Sequence, residues 1–205
     1  MIKKSIYLFG AFILPLLVVW IFRMQYGYIY HAVDDVTINH SIINGESMLL
    51  PYIGIVLSKM LVIIQSIFPM INIYFIFLVG IYSISFSVFI FLLRKRKCKI
   101  LLVAIILIIE FTLLKYFTYS VVAYLLATSG VLLLYKEEKT ILSSIIIFVG
   151  FSLRVQVIAS VILLLLGIIL YELIINKKKG KTVYLAIVTA LVISTNFIFV
   201  KTNSE

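Results

Sequence analysis

The residues best suited to chemistry lie in one polar stretch, residues 25–48, which reads QYGYIYHAVDDVTINHSIINGESM. It contains three of the eight acidic residues, among them the adjacent pair Asp34 and Asp35, and both histidines, His31 and His40. A carboxylate in such a stretch can accept a proton from a hydroxyl group or bind a divalent cation through hard oxygen ligands. The sequence therefore predicts that any catalytic site lies here.

Each of these residues also has a structural interpretation. The acid pair is explained as well by a short helix that Asp34 caps and Gly45 ends, with Asp35 facing water. His31 and Asp35 are four residues apart, so they can share a helical face and orient an imidazole or complete a metal shell, but a surface histidine also fits. The chain has one cysteine, Cys98, and no repeated metal-ligand spacing, so the sequence predicts no dedicated metal site.

Three further ionisable residues lie within or beside apolar segments. Arg154 separates two apolar halves, where a guanidinium must reach water, a carboxylate or a phosphate. Its planar fork suits a bidentate phosphate contact, and the alternative is an arginine that snorkels to the surface at the tip of a hairpin. Glu110 and Lys115 form either a structural ion pair or part of the same site.

The rest of the chain is apolar enough to define its class. Of its 205 residues, 64% are hydrophobic, and the mean hydropathy is +1.23. Runs of about 18 to 20 apolar residues recur along the chain, as bilayer spans require. The net charge of +10 comes from short basic clusters between these runs, which indicates membrane topology and argues against nucleic acid as a partner. The sequence predicts an all-α, polytopic transmembrane helical bundle surrounded by membrane lipid.

The basic clusters predict how the bundle is oriented, because Lys and Arg are retained on the cytoplasmic side. If residues 49–68 stay on the outer surface or re-enter without crossing, all three later basic clusters fall inside together with the N-terminus. These clusters lie at residues 94–99, 136–139 and 177–181. The prediction is therefore a multi-pass protein of the cell membrane with a cytoplasmic N-terminus, about seven spans and one interfacial or re-entrant helix.

The spans follow from the apolar runs, and the first of them is expected to remain as an uncleaved signal anchor. Residues 141–175 must form a helical hairpin or a pair of short spans, since a single helix would be about 52 Å long against a hydrocarbon core of about 30 Å. Its turn, near residues 152–156, places Arg154 at the outer face. We predict a single integral-membrane domain over residues 1–205. The predicted spans are the runs at residues 5–24, 70–93, 100–117, 118–135, 141–153, 155–175 and 182–200.

Several features occur together in this layout. A cytoplasmic N-terminus and a first span precede the outer acidic loop HAVDDVTINHSIINGE, which is followed by an apolar interfacial helix and by FPMINIYFIFLVGIYSIS at the start of the next span. The segments FTYSVVAYLLATSG and VGFSLRVQV come later in the membrane part. This arrangement resembles the polytopic bacterial glycosyltransferases of the GT-C class. Such enzymes transfer a sugar from a polyprenyl-phosphate donor on the outer face of the membrane.

The resemblance implies a role for each candidate. Asp34 would be the general base for the acceptor hydroxyl, and Asp35 would position the acceptor or a divalent cation, which is the one cofactor considered. Arg154 would lie near the lipid phosphate. The further substrate-binding candidates are His31, Glu110 and Lys115. The acceptor would be a cell-surface glycan or glycolipid.

Two other interpretations remain open. Members of this class are commonly about twice as long, so the chain resembles either a minimal member or an N-terminal portion of one. The alternative from another class is a non-catalytic membrane protein, such as a polysaccharide export or transport subunit. The second of these other interpretations is an inactive truncated remnant.

Overall fold

The computed structural model describes residues 2–27, 33–45, 49–50, 52–137, 140–176 and 179–202. Within these ranges 86% of the residues are helical and none forms a β-strand, so the predicted all-α class is confirmed. In chain order the helices are α1 (Ile2–Tyr26), α2 (Val33–Asn44), α3 (Ile55–Ile67), α4 (Ile73–Leu92), α5 (Lys99–Leu113), α6 (Tyr119–Glu137), α7 (Thr140–Leu153), α8 (Val157–Ile174) and α9 (Lys179–Thr202), with a 3₁₀ turn at Leu114–Tyr116.

Four of the described helices are long and apolar enough to cross a bilayer, namely α1 over Phe9–Tyr26, α4, α6 and α8. The shorter α3 and α7 are also apolar. Large hydrophobic side chains such as Trp20, Ile108 and Leu163 remain exposed on the bundle, as expected for surfaces that face lipid rather than water. These features indicate an integral membrane protein.

The break predicted from length within residues 141–175 is confirmed. Helix α7 ends at Leu153 and α8 begins at Val157, so Arg154 lies in the connecting turn. Gly45 follows α2 with a φ of +63°, a left-handed conformation that glycine adopts readily, and it ends that helix as predicted.

The prediction that an aspartate caps α2 is wrong. Helix α2 begins at Val33, so Asp34 and Asp35 both lie in its first turn. Negative charge in this turn still favours the helix, because the backbone dipoles leave partial positive charge at the N-terminus. Asp35 bonds to other helices instead of capping its own, as described below.

Helix α6 is the most buried of the four candidate spans and packs chiefly against α4 and α7. Small residues permit this close approach: a Cβ added at Gly150 of α7 would lie 2.7 Å from the backbone nitrogen of Ala127. A Cβ at Gly130 of α6 would lie 2.8 Å from Ile147 of α7. The α6–α7 contact therefore holds the beginning of α6 and the α7–α8 turn in fixed relation.

Candidate functional site

Asp35 lies on the buried face of α2, together with Ile38 and Ile42. Residues three and seven positions after Asp35 share its side because of the helical period. The Asp35 carboxylate accepts a hydrogen bond from the Tyr74 hydroxyl at 2.7 Å and another from the Tyr119 backbone N–H at 3.2 Å. Tyr74 lies in the first turn of α4, and Tyr119 is the first residue of α6. Asp35 therefore joins the beginnings of three helices.

Helix geometry explains why a fully buried carboxylate is accommodated at this place. The first N–H groups of a helix have no acceptor within it, and the helix N-terminus attracts negative charge. Asp35 supplies an acceptor for the first N–H of α6, which has no acceptor within α6 itself. The aspartate thus caps a helix remote in sequence.

Burial dominates the pKa of the Asp35 carboxyl group. Its removal from water is the largest effect and raises the pKa above the ordinary value of 3.8. The hydrogen bonds from the Tyr74 hydroxyl and the Tyr119 backbone lower the pKa, while the charge of Asp34 raises it, and the net change is upward. Asp35 therefore holds its proton more tightly in the folded chain than in the unfolded chain.

This upward shift predicts a pH dependence of stability. The contribution of Asp35 to the free energy of unfolding is fully present below pH 3.8. It is lost as the pH rises through the raised pKa, because only the unfolded chain ionises this group without the cost of burying a charge. We expect Tyr74→Phe to extend the loss to higher pH, since it removes a hydrogen bond that favours the ionised form. The measurement is the thermal unfolding midpoint against pH, with Asp35→Asn as the control that removes this contribution. A wild-type midpoint that rises relative to Asp35→Asn over this pH range would contradict the assignment.

Asp34 has a different environment from its neighbour. Its side chain is exposed, and within the described residues it makes no hydrogen bond or ion pair. Its charge acts on both Asp35 and Tyr119, so it lies beside the same cluster. Asp34 thus presents an open carboxylate next to a buried, fixed one.

The acid pair is a sparse donor set for a metal ion. In the described part of the chain, no three His, Cys, Asp or Glu side chains gather in one place. Asp35 already accepts from Tyr74 and Tyr119, which leaves Asp34 as the exposed oxygen ligand. A divalent cation here would take its other ligands from water or substrate.

Arg154 reaches the same turn of α6 from the α7–α8 connection. Its guanidinium donates a hydrogen bond to the Ser120 hydroxyl and lies 5.3 Å from the centre of the Tyr119 ring. A guanidinium over an aromatic face is attracted by the negative potential of the ring. Asp35 and Arg154 are far apart in the sequence, yet Asp35 binds Tyr119 and Arg154 contacts both Tyr119 and Ser120 at the start of α6.

A cavity of about 490 Å³ opens beside Arg154, between α6 and α8. Its lining is mostly apolar, with Val121, Leu125 and Val157 among it, and its polar residues include Arg154, Ser120, Gln156 and Ser160. A second apolar cavity of about 360 Å³ lies between α4, α5 and α6, and Leu125 lines it as well. Leu125 is the one described residue that lines both cavities, and the cavity beside the guanidinium is itself mostly apolar.

Glu110 is not brought to the acid pair. It is fully buried in α5, and its backbone carbonyl accepts a hydrogen bond from the Tyr82 hydroxyl at 2.7 Å. Tyr82 follows Tyr74 by eight residues on α4, which corresponds to about 12 Å along the helix. Glu110 therefore lies deeper in the bundle than Asp35.

The remaining predicted site residues are also separate from the cluster. Lys115 is exposed, with its ammonium 5.9 Å from the centre of the Tyr26 ring at the end of α1. The ion pair considered between Glu110 and Lys115 is not formed, because the buried carboxylate has no hydrogen-bond partner among the described residues. His31 lies outside the described residues.

Sequence reasoning missed the residues that hold the cluster together, namely Tyr74, Tyr119 and Ser120. The available signal was a tyrosine at the beginning of each of two spans. The same pattern is typical of the aromatic belts at membrane surfaces, so it did not distinguish a site from an anchor.

No family model, curated protein or solved structure matches the chain significantly. The function must therefore be inferred from the residues themselves and from their layout.

Proposed function

We propose that this protein is a membrane glycosyltransferase that moves a sugar from a polyprenyl-phosphate donor to a cell-surface glycan or glycolipid. The observation that carries the proposal is the meeting of an open carboxylate, Asp34, and a guanidinium, Arg154, around the first turn of α6, with a mostly apolar cavity beside the guanidinium. A lipid-linked sugar phosphate needs these three features together: a base, a cation for the phosphate and an apolar path for the chain.

In the proposed topology the N-terminus is cytoplasmic, α1 and α4 to α9 cross the membrane as about seven spans, and α3 lies at the outer interface. Contacts between distant segments support it. The Asp35–Tyr119 bond and the Gly54–Ser152 bond join segments assigned to the outer side. At the opposite end, Arg94 pairs with Glu137, and the Lys181 ammonium donates to the Tyr135 carbonyl at 3.2 Å.

The proposed reaction assigns one task to each charged group. Asp34 takes the proton of the acceptor hydroxyl while that oxygen attacks the anomeric carbon of the donor sugar. The bond between this carbon and the phosphate oxygen breaks, and polyprenyl phosphate leaves with one more negative charge. Arg154 stabilises this developing charge. Asp35 positions α2, and therefore Asp34, through its bonds to α4 and α6.

The cavity beside Arg154 supplies a site for the lipid chain. Its lining of Leu, Val and Tyr side chains suits an isoprenoid, whose burial is favoured by its apolar surface.

A second candidate function is favoured by Glu110. Ionisable groups buried inside membrane bundles commonly mark a substrate or proton path, and the Glu110 carboxylate is fully buried in α5. We therefore propose, as the alternative, a non-catalytic export or transport subunit for cell-surface polysaccharide.

The sugar composition of the cell surface in a deletion strain tests the two proposals. We expect a sugar to be missing from surface glycan or glycolipid and to be restored by the wild-type chain. A polymer of unchanged composition that accumulates inside the cell would favour the transport subunit. Unchanged composition and unchanged location would overturn both proposals.

A further inference from the structure

Tyr52 has a backbone conformation that residues other than glycine rarely adopt. Its φ is +64°, in the left-handed region, where the Cβ atom crowds the backbone. Such strain persists only where the surroundings fix the chain. Here Ile53 is buried, and the Gly54 N–H donates to the Ser152 carbonyl at 2.6 Å. The segment before α3 is thus held against the end of α7, two residues before Arg154.

Glycine at position 54 is needed for this attachment. A Cβ there would lie 2.8 Å from the Ser152 carbonyl oxygen, closer than such contacts allow. The chain can approach α7 only without a side chain at position 54. The conformation of Tyr52 is therefore a consequence of the docking that brings this segment to the Arg154 turn.

The result is an aromatic ring presented beside the candidate site. The Tyr52 ring stacks on the Tyr119 ring with a centroid distance of 6.3 Å and an interplanar angle of 23°. Tyr119 is 1% exposed, whereas Tyr52 is 57% exposed. Tyr119 also carries the N–H that binds Asp35 and the ring beside the Arg154 guanidinium. Tyr52 thus extends the cluster outward as an open aromatic surface.

We propose that Tyr52 is a substrate-positioning residue that packs its exposed ring against the sugar of the donor. The inference rests on the proposed glycosyltransferase function. The sugar of a polyprenyl-phosphate donor must lie between the phosphate near Arg154 and the acceptor hydroxyl near Asp34. The Tyr119 ring lies beside the Arg154 guanidinium and within the influence of the Asp34 charge, and the Tyr52 ring stacks on it. The C–H face of a pyranose is an apolar surface that packs well on the face of an aromatic ring.

Binding of two lipids separates this role from a structural one. The probes are polyprenyl phosphate without a sugar and the polyprenyl-phosphate derivative of the sugar that is missing from the deletion strain, both with the full chain in proteoliposomes. We expect Tyr52→Leu to weaken binding of the sugar-bearing lipid about 10-fold and to leave binding of the bare lipid phosphate unchanged. Tyr52→Phe should behave as wild type, because it keeps the ring.

Tyr116→Leu is the matched control, since Tyr116 is 65% exposed and lies in the turn just before α6. Leucine at position 52 bears the same backbone strain as tyrosine, so the comparison isolates the ring. Equal losses for both lipids would show a structural role and overturn the inference. Wild-type binding of the sugar-bearing lipid by Tyr52→Leu would also overturn it. If the deletion strain lacks no sugar, the proposed function fails and the inference fails with it. If the wild-type chain binds the donor and Tyr52→Leu binds it equally, the inference alone fails.

Discussion

Replacing Arg154 with leucine is expected to lower sugar transfer by about 10²- to 10³-fold, as is typical when a group that stabilises transition-state charge is removed. The leaving polyprenyl phosphate gains negative charge as its bond to the sugar breaks, and Arg154 is the cation that the fold holds beside Tyr119 and Ser120. Leucine can occupy the apolar part of the cavity, so the helices should still assemble. The measurement is the rate of polyprenyl phosphate release by the purified chain.

Two companion variants separate charge from structure in this experiment. Arg154→Lys keeps the charge but loses the planar fork, so its rate should fall between those of wild type and Arg154→Leu. Ser120→Ala removes the hydrogen bond that the guanidinium donates within the protein. If Ser120→Ala is as slow as Arg154→Leu, the arginine acts by fixing α6 to the α7–α8 turn. An unchanged rate in Arg154→Leu would remove Arg154 from the site.

Much of the helical layout was predictable because bilayer thickness limits the length of each helix. The apolar runs at residues 70–93 and 155–175 correspond to α4 (Ile73–Leu92) and α8 (Val157–Ile174). The break between helices around Arg154 followed from length alone, since a single helix would exceed the hydrocarbon core. These features depend on local composition and on one external dimension, both of which the sequence contains.

The partners of Asp35 could not be predicted in the same way. A helix-capping rule considers neighbouring residues, and it assigned an aspartate to cap α2. In the fold the carboxylate binds Tyr74 and Tyr119, which belong to other helices. A pairing of this kind depends on how three helix beginnings meet, which periodicity within one helix does not encode.

The ion pair that was one of two alternatives for Glu110 and Lys115 is not formed, for a simpler geometric reason. Residues five apart on an α-helix point in directions about 140° apart, so they do not face one another. Helix α5 ends at Leu113, and Lys115 lies in the 3₁₀ turn that follows, where its side chain is exposed. Glu110 instead turns into the bundle, where it is fully buried.

The second large effect concerns Asp34. We expect Asp34→Asn to lower transfer by about 10²- to 10⁴-fold, because asparagine cannot accept the proton of the acceptor hydroxyl. Stability should change little, since the Asp34 side chain is exposed and makes no bond within the described residues. Asp35→Ala should instead lower stability, because it removes the buried acceptor that joins α2 to α4 and α6.

The most direct test is the rate of sugar transfer by wild type and Asp34→Asn in proteoliposomes at equal protein content. The donor is the polyprenyl-phosphate derivative of the sugar that the deletion strain lacks, and the acceptor is the sugar-deficient glycan of that strain. If Asp34 is the catalytic base, wild type transfers the sugar and Asp34→Asn does so at least about 10²-fold more slowly. The two proteins should have the same unfolding midpoint. Equal rates would contradict this role of Asp34 and would show that the open carboxylate beside α6 is not the base.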